Sequence, residues 1–421
     1  MSFKTLHPNV KIRIIINFVL NTSNNMVIPF TAIYFTNLFG AQIAGVSTIC
    51  NVIVAIIFSL VGGYYADVVG RKPMLLISEL LCAVSYAIMA LVISPWVHME
   101  YLLLPATLLV NACWGLSKPA SDAMLIDVTD DKVRKKLYQI TYWTGNLSSS
   151  ISGIVGAFIF SKYKLPLFGI IAFIFVISLF VTRFFISESL FPLKKKSDGE
   201  RSSIIQFFKS VIMNYAQVFR DHVFMLYAVS SIFIVSMELN LTNYISVRLN
   251  HDMQNTTAGF IVDGYKMTGY LITLNTLVIV CLSLPISKML KRNNDTFFMF
   301  SGLLAYVAGY SYMVVGINPI FLLIMMAIAT FGEIIFMPIR QKMLINIIPN
   351  EKRSSYMAVN GLVFRLAMLF SGLFLIIGSY MSQWVMLIII TSVGILGISI
   401  IAIILPQLKG TSTKEESVFK M

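Results

Sequence analysis

Apolar runs of about 18 to 25 residues recur along this chain, each long enough to cross a bilayer as a helix. Ile14 to Leu38 is one such run and Trp384 to Leu405 is another. No other feature narrows the fold so far. In hydrocarbon the backbone must bond to itself, and a run of this length does so as a helix. Charged residues fill 12% of the 421 positions, about half the share of a soluble protein. The first run is too long for a leader peptide, holds polar residues, and lacks a small-residue cleavage site, so it reads as a spanning helix.

Hydropathy predicts spans at 12–38, 42–64, 74–95, 100–126, 138–160, 165–186, 223–247, 259–287, 296–315, 318–346, 354–378 and 382–405. An even number of spans puts both termini on one side. The net charge of +13 comes from basic residues scattered over short loops rather than gathered into a nucleic-acid patch. With the termini inside, all Lys and Arg fall in cytoplasmic loops, tails and helix ends except Lys162, Lys164 and Arg248 outside and Lys118, Lys266 and Arg365 within spans. That asymmetry predicts a multi-pass protein of the cell (inner) membrane with both termini cytoplasmic.

Shifting the chain by 219 residues lays Pro119 on Pro338, Met124-Leu125-Ile126 on Met343-Leu344-Ile345, Arg134 on Arg353, and Ser152-Gly153 on Ser371-Gly372. The repeat predicts an all-α membrane protein of about twelve spans in two pseudo-symmetric six-helix bundles, 1–190 and 223–408. A linker at 191–222 and a tail at 409–421 complete the chain. Ile204, Phe208, Val211, Ile212, Tyr215 and Phe219 share one helical face in the linker. They predict an amphipathic helix on the inner leaflet, with Lys194, Lys195 and Lys196 toward anionic lipid or solvent. Parallel repeats place a pathway between the halves, near the midplane.

Between spans two and three stands Gly63-Tyr64-Tyr65-Ala66-Asp67-Val68-Val69-Gly70-Arg71-Lys72-Pro73. It resembles the G-x-x-x-D-x-x-G-R-K loop of the major facilitator superfamily, in the same position. The glycines allow a tight turn, Asp67 is an anion near helix ends, and Arg71 and Lys72 hold the loop inside. The resemblance implies the major facilitator fold, with Gly63, Asp67, Gly70, Arg71 and Lys72 as a cytoplasmic latch. The loop of the second half, Ser287-Lys288-Met289-Leu290-Lys291-Arg292, keeps only the basic charge. Asp122 to Asp127, Tyr142-Trp143, Asn146-Leu147, and Gly332-Glu333-Ile334 with Pro338 resemble the twelve-span drug:proton antiporters of Gram-positive bacteria. Two departures stand out: the stretch Ser152 to Ala157 lacks the proline of the antiporter motif, and Thr141 replaces a carboxylate found in some relatives.

Ionisable groups at membrane depth are costly and so mark pathways or pairs. The candidates are Glu79, Asp122, Asp127, Glu238, Asp263 and Glu333, with Lys118, Lys266 and Arg365. The histidines lie outside the spans, so carboxylates must carry any proton. Glu333, in the middle of span ten, is the expected coupling and cation-recognition site, or else an ion pair with a residue such as Arg365. Asp127 is expected to relay protonation to the latch by pairing with Arg71, and Glu238 is a second protonation site. Lys118 with Asp122 and Asp263 with Lys266 read as local pairs, and Glu79 as a wet residue at a helix end. Asn17, Asn21, Asn24 and Asn25 form one polar face in span one. Asn17, Asn21, Asn24, Asp122 and Glu333 are the expected substrate cavity.

Cys50, Cys82, Cys113 and Cys281 form no C-x-x-C and read as buried free thiols. No cofactor or metal is expected. The expected partners are a small-molecule substrate, protons and membrane lipids, with no nucleic acid, and a monomer. The leading expectation is a proton-coupled exporter of lipophilic or cationic compounds working by alternating access. A pocket drawing on the 31 Phe and 23 Met would suit varied apolar substrates. A carrier for one metabolite, sugar, peptide or lipid is the alternative, and a non-transporting membrane sensor or scaffold is a third. There is no G-x-S-x-G, H-E-x-x-H or P-loop to suggest an enzyme.

Overall fold

A computed structural model describes residues 7–97, 99–129, 131–189, 218–253, 262–290, 295–349 and 353–418. The amphipathic linker helix expected at 204–219 lies almost wholly outside these residues. Every regular element described is a helix: α1 Pro8–Asn25, α2 Ile28–Phe39, α3 Ala41–Val68, α4 Arg71–Ile93, α5 Leu103–Asp127, α6 Asp131–Lys162 and α7 Lys164–Phe185. Then follow α8 His222–Leu239, α9 Tyr244–Asp252, α10 Gly264–Leu290, α11 Asp295–Val315, α12 Pro319–Ile347, α13 Arg353–Gly378 and α14 Gln383–Val418, with short 3-10 turns at Glu100–Leu102 and Asn240–Thr242. Nine stretches among the described residues are long and apolar enough to cross a membrane. On α7 the apolar residues Ile170, Phe173, Ile177, Phe180 and Phe184 are all exposed at helical spacing. Such a stripe faces lipid, where its exposure carries no hydrophobic cost.

Two expected spans are not single rods. The first is divided at Met26 and Val27. Pro29 occupies the first turn of α2. It has no N–H to donate to the Asn25 carbonyl, so the helical ladder stops there. The seventh is divided between α8 and α9 by the 3-10 turn at Asn240–Thr242. In the 219-residue register the break at Met26 and Val27 falls on 245–246, a few residues beyond the turn Asn240–Thr242, so each half divides its first span, at neighbouring but different positions.

Contacts divide the chain into two compact units. The first comprises Met1–Pro192 with Thr242–Val280, a stretch the sequence repeat assigns to the second half. Its principal pairings are α3 with α5, α4 with α7 and α5, and α1 with α6. Small residues allow the backbones to approach: a Cβ on Gly62 would stand 2.7 Å from the Leu116 backbone. The start of α10 joins this unit through the Thr273 hydroxyl, which donates to the Ser150 carbonyl at 3.1 Å. Tyr265 adds a ring 6.1 Å from Phe30 and 6.0 Å from Phe160. The second unit comprises Leu193–Leu241 with Cys281–Met421. There α11 pairs with α12, and α8 packs on α13 and α14. Asp221 caps α8 by accepting from the Phe224 amide at 3.1 Å, and Asn318 caps α12 by accepting from Ile320 at 3.0 Å.

Candidate functional site

The second unit holds two of the three carboxylates expected to couple transport, Glu238 and Glu333, while Asp127 lies in the first. On α12, Gly332 precedes Glu333 and faces Gly302 of α11. A Cβ on Gly302 would lie 2.8 Å from the Gly332 carbonyl, so only glycine permits this approach. The close seam brings Glu333, 9% exposed, against the tyrosine face of α11. Tyr306 and Tyr310, one turn apart and each 1% exposed, pack with ring centroids 4.8 Å apart. Phe336 closes on Tyr306 at 5.2 Å. Glu238, near the end of α8, and Glu333 both act electrostatically on both tyrosines, and the Tyr306 hydroxyl bonds to the Glu238 backbone.

The cation of this cluster is Arg340. It acts on Glu238 and on Tyr306. It stands seven residues after Glu333, two turns along one helix face and about 10 Å away along the axis. Sequence reading counted it among the cytoplasmic helix ends; the spacing from Glu333 was the signal available. Arg365, the partner offered for Glu333, makes no ion pair among the described residues. Several polar atoms of the cluster are buried without a hydrogen-bond partner: Arg340 Nε and Nη1 and the Tyr310 hydroxyl; nearby in sequence, Asn240 Oδ1 is another. Asn240 donates its Nδ2 to the Ser236 carbonyl at 2.9 Å, which fixes the amide and leaves Oδ1 as the open acceptor. An unfilled donor or acceptor in so dry a place is costly.

The first unit treats its buried charge differently. Glu79 is not wet. It is 2% exposed and paired with Arg13 of α1 at 2.9 Å, because the inner ends of α1, α4, α5 and α7 close over it. Thr182 donates to the same carboxylate oxygen at 3.1 Å, and Arg13 Nε donates to Ser121 at 3.0 Å.

The loop between α3 and α4 holds a third arginine. Arg71 binds Asp67 and the Ala66 carbonyl, and its Nε lies 3.4 Å from Asp127. Ser189 donates to the same Asp127 oxygen at 3.1 Å. Thus Asp67, Arg71 and Asp127 come together, as the pairing of Asp127 with Arg71 required. Glu188, which sequence reading passed over, caps α4 by accepting from the Arg71 and Lys72 amides at 3.1 and 3.0 Å. Lys72 Nζ donates to the Arg183 carbonyl at 2.8 Å. Gly70 has φ 118°, a conformation reserved for glycine, and a Cβ there would lie 2.6 Å from the Glu188 carboxylate. Gly63 lies along α3 with room beside it, the nearest atom to a Cβ being Pro119 at 3.9 Å.

The asparagines of α1 diverge. Asn17 donates to Ser121 at 3.2 Å and Asn25 to Ser149 at 3.3 Å. Asn24, placed in the expected cavity, is 6% exposed and accepts from Tyr86 at 2.6 Å, so it fastens α1 to α4. Asn21 is half-buried. Asp122 is exposed and paired with Lys118 at 3.1 Å, and Asp263 pairs with Lys266 at 3.4 Å. All four cysteines are free, but only Cys82 and Cys113 are buried. Cys50 is half-buried, and Cys281 is exposed on an apolar helix surface.

A family model described as Major Facilitator Superfamily matches residues 14–372 and 263–420. This chain belongs to the major facilitator superfamily. It is a secondary transporter of the facilitator type and not an enzyme. Among relatives of this facilitator, a Na(+), Li(+), K(+)/H(+) antiporter of Planococcus maritimus is 30% identical over 86% of this chain and 87% of its own length. The multidrug resistance protein MdtH of Baumannia cicadellinicola is 24% identical over 80% of this chain and 76% of its own. A crystal structure of a POT family transporter in complex with 5-aminolevulinic acid superposes with TM-score 0.73 at 15% identity, covering 97% of this facilitator and 98% of that chain. That last likeness speaks for the fold.

Proposed function

We propose that this transporter is a proton-coupled antiporter that exports cations, with Glu333 and Glu238 as the carboxylates on which proton and cation alternate. The observation that carries the reading is the pair itself. Two carboxylates from separate helices converge on the same two buried tyrosines at membrane depth. An anion held there is stable only while a cation or proton offsets it. Likeness to the Planococcus antiporter supports small monovalent cations as cargo. Likeness to MdtH supports a second reading, lipophilic cations such as toxic dyes. In either case Asp127 and the Asp67–Arg71 loop form the inner latch, and both termini face the cytoplasm. A cysteine at Ser197 should then resist an impermeant thiol reagent in intact cells, while one at Trp96 labels, each in a chain freed of its native cysteines.

The test is Glu333→Gln, which keeps size and removes charge. In everted membrane vesicles with an imposed pH gradient, wild type should release protons when Na+, Li+ or a lipophilic cation is added. Glu333→Gln should lower that response at least tenfold while reaching the membrane in normal amount. An unchanged response with unchanged pH dependence would remove Glu333 from coupling. The cation that elicits the larger response separates the two cargo readings.

A further inference from the structure

Lys164, at the start of α7, is an ammonium held by aromatic rings. Its Nζ lies 5.1 Å from the ring centroid of Tyr34, 5.8 Å from that of Phe160 and 6.0 Å from that of Tyr265. Each distance is within reach of a cation–π contact. The ammonium also donates to the Ser161 carbonyl at 3.3 Å, and it makes no ion pair among the described residues. The rings support one another. Tyr34 meets Phe160 edge-on at 5.8 Å, and Tyr265 stands 6.0 Å from Phe160 and 6.1 Å from Phe30. Phe30 and Phe160 are fully buried, so packing fixes the floor of this cage, while Tyr34, Tyr265 and Lys164 form a half-buried rim. The walls come from α2, α6 and α10, and all these residues belong to the first unit. With both termini cytoplasmic, the cage lies at the outer end, because α2 and α6 finish outside and α7 and α10 begin there.

We infer that Tyr34, Phe160 and Tyr265 form an exit site for an organic cation, an alkylated ammonium or a similarly lipophilic ion, and that Lys164 is the tethered cation that fills the site between passages. The inference rests on the lipophilic-cation reading of the cargo and gives that cargo a second stop, in the first unit. The chemistry of the walls selects the ligand. Ring faces attract positive charge but replace none of the oxygen ligands that a small alkali ion gives up on leaving water. An alkylated ammonium has little water to lose, and aromatic cages recognise such ions. The Lys164 ammonium is compact and strongly hydrated, on a flexible stem. It therefore suits the cage less well than an alkylated ion, and its stem lets the head swing out to the outer surface. Exchange trades one positive charge for another, so the charge in the cage does not change. Two cations cannot share it, because like charges so close repel. The returning lysine therefore expels the cargo outward and blocks its re-entry.

The experiment uses the purified full chain in detergent, tetrapropylammonium as the probe and an amine-reactive acetylating ester. Acetylation of Lys164 is read by peptide mass spectrometry against Lys162, an exposed lysine two residues away. Saturating tetrapropylammonium should raise labelling of Lys164 severalfold relative to Lys162, and Na+ at the same concentration should leave the ratio unchanged. A ratio indifferent to tetrapropylammonium, or raised equally by Na+, would overturn the site. Lys164→Ser vacates the cage and should bind tetrapropylammonium about fivefold tighter than wild type, the size of one cation–π contact. Adding Tyr265→Leu should erase that gain. A folded Lys164→Ser chain that binds no tighter than wild type would refute the displacement, and the labelling ratio decides the matter if that variant fails to fold. Neither measurement needs a proton gradient. Proton release to lipophilic cations with no change at Lys164 sinks the cage alone. A cage that responds while vesicles release protons to no cation stands by itself, and the exchange reading falls.

Discussion

Arg13 and Arg340 both lie among packed helices, and they are matched differently. Arg13 meets one carboxylate, Glu79, and the pair is braced by Ser121 and Thr182. Arg340 acts on Glu238, and its own Nε and Nη1 are buried without a hydrogen-bond partner. The first arrangement is neutral as it stands and asks for nothing further. The second leaves donor groups unfilled in a dry place. A third arginine sharpens the point. Arg71 faces two carboxylates, but Asp67 is 67% exposed, and water screens the excess charge there.

The comparison breaks most readily at Glu79. Removing one partner of a buried pair strands the other charge, a loss of about 3–5 kcal/mol. Glu79→Ala should lower the melting temperature and membrane yield sharply, read by reaction of the buried Cys82 and Cys113 thiols on heating. Arg13→Met with Glu79→Leu together should restore most of the loss, as expected of a pair whose task is structural. If Glu79→Ala instead leaves stability intact and abolishes proton coupling, the division between a structural and a working arginine is wrong.

Gly70→Ala comes next. It forces a side chain into a glycine-only conformation, costing about 1–3 kcal/mol, and pushes on the Glu188 cap. Melting should fall by that amount, and retained stability would show that the turn relaxes. Asp67→Asn should leave folding and cargo binding near wild type while slowing transport about tenfold, close to 1.4 kcal/mol of barrier. Flux in everted vesicles checks it, and normal flux would reduce the loop to a plain basic turn. The smallest effect belongs to Tyr356→Phe. The Tyr356 hydroxyl donates to Asp221 at 2.9 Å, and burial, with Asp221 beside it, raises its pKa to about 12. The hydrogen bond therefore contributes fully below pH 10 and fades as pH rises through about 12. Its loss should cost about 1 kcal/mol, measurable as a small drop in melting temperature at neutral pH and a smaller one at high pH.

The helices were legible because length and hydropathy settle them together. Few polar groups interrupt the runs, and the bilayer admits one solution. The latch was legible because its residues are close in sequence, so Asp67, Gly70 and Arg71 are held together by one turn. Glu333 could be found because it is the charged residue in an otherwise apolar stretch. Its arginine could not be chosen that way. Arg365 is plausible on paper, but among the described residues it makes no ion pair, and the packing of α12 against α8 instead sets Arg340 toward Glu238. Glu79 misled for the same reason: its distance from the helix end is visible in the sequence, but the lid formed by α1 and α7 is not. The asparagines of α1 share a face, yet three different helices answer them. The allocation of Thr242–Val280 to the first unit has no local signature at all.

The broken first span of each half has a mechanical meaning. A continuous helix transmits a bend from end to end, as a rod does. A helix interrupted at Pro29, or at the turn Asn240–Thr242, behaves as two short rods joined by a pin. Deflection of the outer piece is then absorbed at the joint rather than levered onto residues further in. Glu238 lies two residues from such a joint. Its backbone neighbours can therefore change angle over a distance shorter than one turn, a freedom that a carboxylate fixed in mid-helix does not have.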